Sequence, residues 1–323
     1  MGSRCSCVQE IIEEEDLHLK NEDNPYSMQK SPINVPSNAS SNVPISYNYQ
    51  NSTEYQSFPS ICLGRLGDTK EYPDGSLYRG EYKNGLREGF GIQVWTNGVR
   101  YEGFWSNDKR HGKGCKIYAN KDIYEGDWED DYPSGIGIYL FNYGVKYEGP
   151  WKNGKKCGYG IETRPDGYRY EGNWENDEKY GYGVSIDVDN SRYEGKFLNG
   201  LKHGKGRLVL ADGDTYEGEF FKGFMHGNGN YTWSDGKKYI GEMFENKMSG
   251  HGSLKWEDGK IYVGEFKDGK EHGVGVLTTV DGRTFRGNWV EGLRHGFGLI
   301  TLPNGKKINC EYVNGKMISD RLD

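Results

Sequence analysis

Long apolar runs are missing from this chain. Hydrophobic residues make up only 34% of its 323 residues, and no stretch approaches the ~20 apolar residues a membrane-crossing helix needs. A conventional core of Leu, Ile and Val is therefore not expected. Cysteine is scarce as well: Cys5, Cys7, Cys62, Cys115, Cys157 and Cys310 form no C-x-x-C pair and follow no apolar leader. That pattern argues against a disulfide framework, and the sequons at Asn38 and Asn51 then read as chance matches. Clustered Lys and Arg are also absent. Residues 1–60 hold three basic and eight acidic side chains, residues 61–77 hold two and three, and the remainder is one negative charge from neutral. Charge interleaved in this way gives no nucleic-acid surface.

Glycine is what the chain has in excess, 49 residues where average usage of about 7% would give roughly 23. Aromatics reach 14%, with 25 Tyr and 8 Trp. Rings packed over glycines can supply the burial that aliphatics do not, since each ring removes roughly 150–250 Å² from water.

The arrangement is periodic. From Tyr78 the chain repeats every 23 residues without an insertion, at Tyr78, Tyr101, Tyr124, Tyr147, Tyr170, Tyr193, Tyr216, Tyr239, Tyr262 and Phe285, with a half repeat from Ile308. The third, twelfth and fourteenth positions are glycine in all ten repeats. In the sixth repeat, Tyr193, Gly195 and Phe197 alternate and so share one face of a strand. Asn199-Gly200 is a hairpin-turn signal, because both residues accept positive φ. Gly204 and Gly206 are expected to open the returning strand on one face, and Asp212-Gly213 marks the next turn. Each repeat thus reads as a β-hairpin. Glycine weakens a strand interior, so the expectation is that Tyr and Trp of one repeat cover glycines of the next.

These residues carry a family resemblance. Tyr-Glu-Gly-x-Trp at Tyr101–Trp105 and His-Gly-x-Gly at His111–Gly114 resemble the core pattern of MORN repeats. The resemblance implies an all-β fold, an elongated single antiparallel sheet of about ten and a half tandem hairpins. At ~4.8 Å between strands each repeat advances roughly 9.6 Å, which implies a rod of about 100 Å. The chain divides accordingly: 1–60 as a disordered extension, 61–77 as a degenerate cap, 78–307 as ten repeats, and 308–323 as a half repeat and tail. Caps are expected because inner repeats need neighbours on both sides. Departures are local. Met243 stands where the other repeats carry an aromatic, Phe285 for the first tyrosine, Lys121 and Asn190 for turn glycines, and Cys310 for a third-position glycine.

The extension has its own signal. Asn34–Ser60 is rich in Asn, Ser, Pro and Gln, a composition that favours disorder. Met1-Gly2-Ser3-Arg4-Cys5-Ser6-Cys7 fits the N-myristoylation pattern through Gly2 and Ser6. One myristoyl chain holds a membrane only weakly, so a second signal is required. Arg4 is the only basic residue before Lys20, which leaves Cys5 and Cys7 as the expected palmitoylation sites. This start resembles dually acylated peripheral proteins and places the protein on the cytoplasmic face of a membrane, at the cortex or cytoskeleton.

Candidate chemistry is thin. His111, His203, His226, His272 and His295 share the eleventh position. Successive members stand ~9.6 Å apart, too far to share a zinc ion whose ligands lie at ~2.0–2.1 Å. Metal is therefore not expected, and a local turn role is. Glu102, Glu125, Glu148, Glu171, Glu194 and Glu217 form a ladder at the second position. With no pair set apart in a pocket, the ladder reads as a solvated or salt-bridged face. No P-loop, nucleophile elbow, kinase set or H-E-x-x-H motif is present, so neither enzyme activity nor a cofactor is expected. The binding candidates are aromatic: Tyr101, Trp105, Tyr124, Trp128, Tyr147, Trp151, Tyr170 and Trp174 line one face. An open part of that face would accept an extended peptide or helix.

The functional expectation is a membrane-tethered, non-catalytic scaffold for protein partners, with homodimer pairing implied by the family resemblance. Two rival readings are phosphoinositide recognition, including direct phospholipid contact by the repeats, and a regulatory subunit for a separate enzyme such as a lipid kinase. The first has little support, since pairs such as Lys155-Lys156 fall short of the clusters of 4–8 basic residues such binding uses.

Overall fold

A computed structural model describes residues 67–322; Gly2, Cys5 and Cys7 lie outside them. Among the described residues there are 24 strands and no helix. The all-β reading holds, and every pairing is antiparallel, all but one of them between neighbours in sequence. The chain divides into two compact units at Ala119/Asn120.

The first unit contains β1 (Lys70–Glu71), β2 (Leu77–Lys83), β3 (Leu86–Val94), β4 (Arg100–Ser106) and β5 (Lys109–Ile117), paired in that order. The second opens with β6 (Ile123–Glu129), β7 (Tyr132–Leu140), β8 (Lys146–Lys152), β9 (Lys155–Lys156) and β10 (Gly158–Thr163). It continues through β11 (Arg169–Glu175), β12 (Glu178–Ile186), β13 (Arg192–Leu198), β14 (Leu201–Val209), β15 (Thr215–Phe221), β16 (Phe224–Thr232), β17 (Lys238–Phe244) and β18 (Lys247–Lys255). Its last strands are β19 (Ile261–Lys267), β20 (Lys270–Thr278), β21 (Thr284–Val290), β22 (Leu293–Thr301), β23 (Lys307–Val313) and β24 (Lys316–Leu322).

Two turn types alternate. Asn199 (φ 49°) and Gly200 (φ 77°) make a two-residue turn with both residues left-handed, the type I′ geometry that matches strand twist. Between repeats, Leu210 and Asp214 close a wider loop in which Gly213 donates to the Leu210 carbonyl at 3.0 Å. Lys121 (φ 69°) and Asn190 (φ 67°) take the left-handed position that glycine fills elsewhere.

Register puts glycine against glycine. Gly195 pairs with Gly206 in its own hairpin and with Gly183 on the other side, and the row continues through Gly218 and Gly229. A Cβ on Gly206 would lie 2.5 Å from Tyr193 Cε2, and one on Gly195 would lie 2.5 Å from the Tyr193 hydroxyl. The tyrosine therefore covers glycines of its own repeat. This corrects the expectation that both rings reach the next one. The fifth-position ring does cross, but backwards: Trp174 Nε1 donates to the Gly160 carbonyl at 3.2 Å.

The twelfth-position glycine departs from the sequence reading. Phe197 pairs with Lys202 and Gly195 with Gly206, so His203, Gly204 and Lys205 together oppose Lys196. Gly204 is left-handed (φ 61°), the condition for this β-bulge. A Cβ there would meet Lys196, whereas one on Gly206 meets Tyr193, so Gly204 and Gly206 do not share a face.

Candidate interaction surface

The ring face is built by alternation. Tyr at the first position, glycine at the third and Trp or Phe at the fifth point the same way, and the rings pack edge to face. Tyr147 meets Trp151 of its own repeat at 5.2 Å and Trp174 of the following repeat at 5.2 Å between centroids. Tyr101–Trp105, Tyr124–Trp128 and Tyr170–Trp174 repeat the geometry at 5.1–5.2 Å. Such T-shaped pairs add about 0.5–1.5 kcal/mol each beyond burial.

The polar handles of these rings are used internally. Tyr101 donates to the Phe104 carbonyl, Tyr124 to Asp127 and Tyr170 to Asn173, each at 2.9 Å, and Tyr147 to Pro150 at 3.2 Å. Trp105 and Trp151 donate to glycine carbonyls at 3.3 and 3.2 Å. Tyr101, Tyr124, Tyr147 and Tyr170 are fully buried, and Trp105, Trp128, Trp151 and Trp174 keep 3–7% exposure. All eight aromatic candidates therefore lie inside the packing. Burial pushes the Tyr170 phenol up, and that of Tyr216 up to about 12.

Sequence reasoning missed a cationic row at the tenth position. Lys156 is buried beneath the rings, with Nζ 3.0 Å from Glu162 and 4.6 Å from the Trp174 centroid. Arg164 reaches the other Glu162 oxygen at 2.9 Å. Burial alone would raise the Glu162 carboxyl, but the two cations outweigh it and hold the group low. Lys179 donates to Tyr168, and burial lowers its own ammonium. Arg87 stacks on Trp105 at 4.0 Å. The available signal was the pairing of this position with the fifth-position ring, as in Trp174↔Lys179.

The histidine row does not gather. The bulge turns the eleventh-position carbonyl towards the tyrosine hydroxyl: Tyr262 reaches the His272 oxygen at 3.2 Å, and Tyr239 makes the same contact to Ser249. The tyrosine contact uses only the backbone, so the side chain there is free to vary. Among the described residues no His, Cys, Asp or Glu cluster could hold a metal ion.

The acidic ladder is salt-bridged within its strands at Glu102, Glu148, Glu171 and Glu194, while Glu217 is exposed. Glu148, Glu171 and Glu194 pair with Lys146, Arg169 and Arg192 at 2.7–3.0 Å. Glu102 pairs with Arg100 at 2.8 Å and is itself buried. A second set of acids has a structural task at the bulge. Glu242 Oε1 accepts the His251 amide at 2.9 Å, and Glu265 accepts Val274 at 3.1 Å.

The outward face is what remains free. An open groove crosses it over the glycine rows, lined by Tyr182, Glu194, Lys205, Arg207, Glu217 and Asn230. Arg207 stands opposite both Glu194 and Glu217 across the strands, so both signs of charge line the groove. Beside the type I′ turns the outward side chains change from repeat to repeat. Leu198 faces Leu201 and Phe221 faces Phe224, all 40–50% exposed, while Glu175 faces Glu178 and Lys267 faces Lys270.

The MORN repeat family model matches residues 78–100, 101–123, 124–142, 147–167, 170–192, 193–215, 216–238, 239–261, 262–282 and 285–307. Comparison with curated proteins gives no match. Among solved structures, the TCP10 domain of Danio rerio CPAP in complex with a peptide of Danio rerio STIL is 14% identical, with 79% of this chain and 98% of that chain covered at a TM-score of 0.32. The TCP domain of Drosophila melanogaster SAS-4 (dCPAP), in complex with a proline-rich motif of Ana2, is 15% identical, with 63% and 97% covered at a TM-score of 0.29. Scores this low say nothing about partner or function.

Proposed function

Since the chain belongs to the MORN-repeat family, we propose that it works as a non-catalytic scaffold on the cytoplasmic face of a membrane, holding protein partners while acyl groups on Gly2 and on Cys5 or Cys7 tether it. One observation carries the scaffold reading. At the inward first and fifth positions the rings recur and spend their hydroxyls and most of their indole N–H groups on the fold, whereas the outward pairs beside the turns change among apolar, acidic and basic along the chain. A fixed interior with a varied exterior suits a surface that presents different contacts along its length. The tether rests on the first seven residues and on the need for two lipid signals.

Crosslinking in cells followed by purification of the full-length protein tests the scaffold role. The reading expects one or more protein partners in stoichiometric yield, retained after detergent removes lipid. Recovery of the chain with lipid alone would defeat it.

A further inference from the structure

The outward face of β13–β18 carries an apolar stripe that no other described residue covers. Three consecutive hairpins place Leu198, Leu201, Phe221, Phe224 and Phe244 beside their turns, each 40–54% exposed. The rings are not scattered. Phe221 lies 5.6 Å from His203 and 5.6 Å from His226, and His226 lies 5.1 Å from Phe244. Contiguous apolar surface of this kind marks an interaction site more often than chance exposure does.

The ends of the stripe differ in charge. The hairpin before it presents Glu175 and Glu178, paired directly across the turn and both exposed. The hairpin after it presents Lys267 and Lys270, also directly paired and exposed. Lys270 reaches Glu291 at 2.9 Å, with both side chains more than half exposed, so that pair exchanges partners at little expense.

From this pattern we propose that the stripe is the docking site for an amphipathic α-helix of a partner protein, lying across the hairpins with its N-terminal end on Glu175 and Glu178 and its C-terminal end on Lys267 and Lys270. The proposal rests on the scaffold reading and names one partner class for it. Spacing supports a helix. Hairpins recur every ~9.6 Å, and seven helical residues rise ~10.5 Å, so apolar residues at heptad spacing meet successive hairpins. Over the three hairpins the mismatch grows to only about 2 Å. Charge sets the direction. A helix carries partial positive charge at its N-terminus and partial negative charge at its C-terminus, which matches the acidic and basic ends of the stripe. Basic side chains in the first turns of the ligand and acidic ones in the last strengthen the same match.

The test uses full-length protein and two labelled synthetic helices with identical Leu residues at heptad spacing. One has Lys in its N-terminal turns and Glu in its C-terminal turns; the other has the charges exchanged. Fluorescence anisotropy is expected to show the first binding about 10-fold more tightly than the second. Phe221→Ser/Phe244→Ser weakens the first by at least about 10-fold, while Phe297→Ser, exposed but off the stripe, leaves it unchanged. Glu175→Lys/Glu178→Lys combined with Lys267→Glu/Lys270→Glu reverses the preference between the peptides. These side chains are exposed, and unchanged thermal unfolding of each variant verifies the fold. Equal binding of both peptides, binding indifferent to the stripe substitution, or no binding of either overturns the proposal. Loss of self-association or of vesicle binding in the stripe variant, without peptide binding, also overturns it by giving the stripe another occupant. If crosslinked partners persist in that variant while peptide binding fails, the scaffold reading stands and only this site falls.

Discussion

Tyr193 lies directly over Gly206: a Cβ on that glycine would sit 2.5 Å from both Cε2 and the hydroxyl oxygen of the ring, while the hydroxyl donates to the Lys196 carbonyl at 2.9 Å. Ring, glycine and carbonyl form one unit of packing, and the chain repeats it. Gly206→Ala therefore removes space that the ring occupies. Overpacking of this kind costs about 1–3 kcal/mol. Gly200→Ala, in a turn with open space around it, meets only the strain of a left-handed backbone, about 1 kcal/mol. Hydrogen exchange should show the Gly206→Ala loss concentrated in β13 to β15, because neighbouring repeats share the ring contacts. Uniform destabilisation of the whole second unit would contradict local packing.

Tyr193→Phe keeps the ring and deletes one hydrogen bond, a loss of about 0.5–1.5 kcal/mol. The chain contains the precedent, since Phe285 occupies the same position over Gly287 and Gly298. Tyr193→Ala empties the site and should cost roughly 3–5 kcal/mol. Denaturant unfolding that ranks the two variants equally would refute the assignment of burial to the ring.

Glu162 gives a pH prediction. Its carboxyl is held below the ordinary value, so it contributes stability above the unfolded-state pKa of about 4.3. That contribution is lost as pH falls through the lower folded-state value. The unfolding midpoint should drop on acidification below about pH 4.3, and Glu162→Gln should flatten that part of the profile. At neutral pH the same substitution leaves the buried Lys156 ammonium unpaired and costs roughly 3 kcal/mol.

Lys121 sits at φ 69° where most repeats use glycine. Lys121→Gly should raise stability by about 1 kcal/mol, because a side chain no longer opposes the left-handed conformation. Unchanged or lowered thermal stability would show that Lys121 makes a compensating contact.

Much of this arrangement is legible in the sequence. The 23-residue period and the alternation around Tyr193, Gly195 and Phe197 give the hairpins and the buried face directly. Asn199-Gly200 gives the turn type. The bulge at Gly204 is not legible, because a glycine at even spacing from Gly206 looks like regular strand until its φ is known. Which repeat a ring covers is equally hidden: Tyr193 over its own Gly206 and Trp174 against Gly160 obey the same alternation as the reverse choice. Burial decided the aromatic candidates in a way composition cannot, since Trp151 and Phe244 are both large rings and only the second is exposed. The role of Lys156 was missed because a lysine in a polar pattern reads as solvent-facing, whereas this one fills a gap between rings.

The most direct test of the tethered scaffold is fractionation of cells expressing the full-length protein beside Gly2→Ala, with a clickable myristate analogue supplied to both. The account predicts label and membrane recovery for the unchanged chain, with Gly2→Ala unlabelled and soluble. An unchanged chain that takes no label and stays in the soluble fraction would contradict the tether.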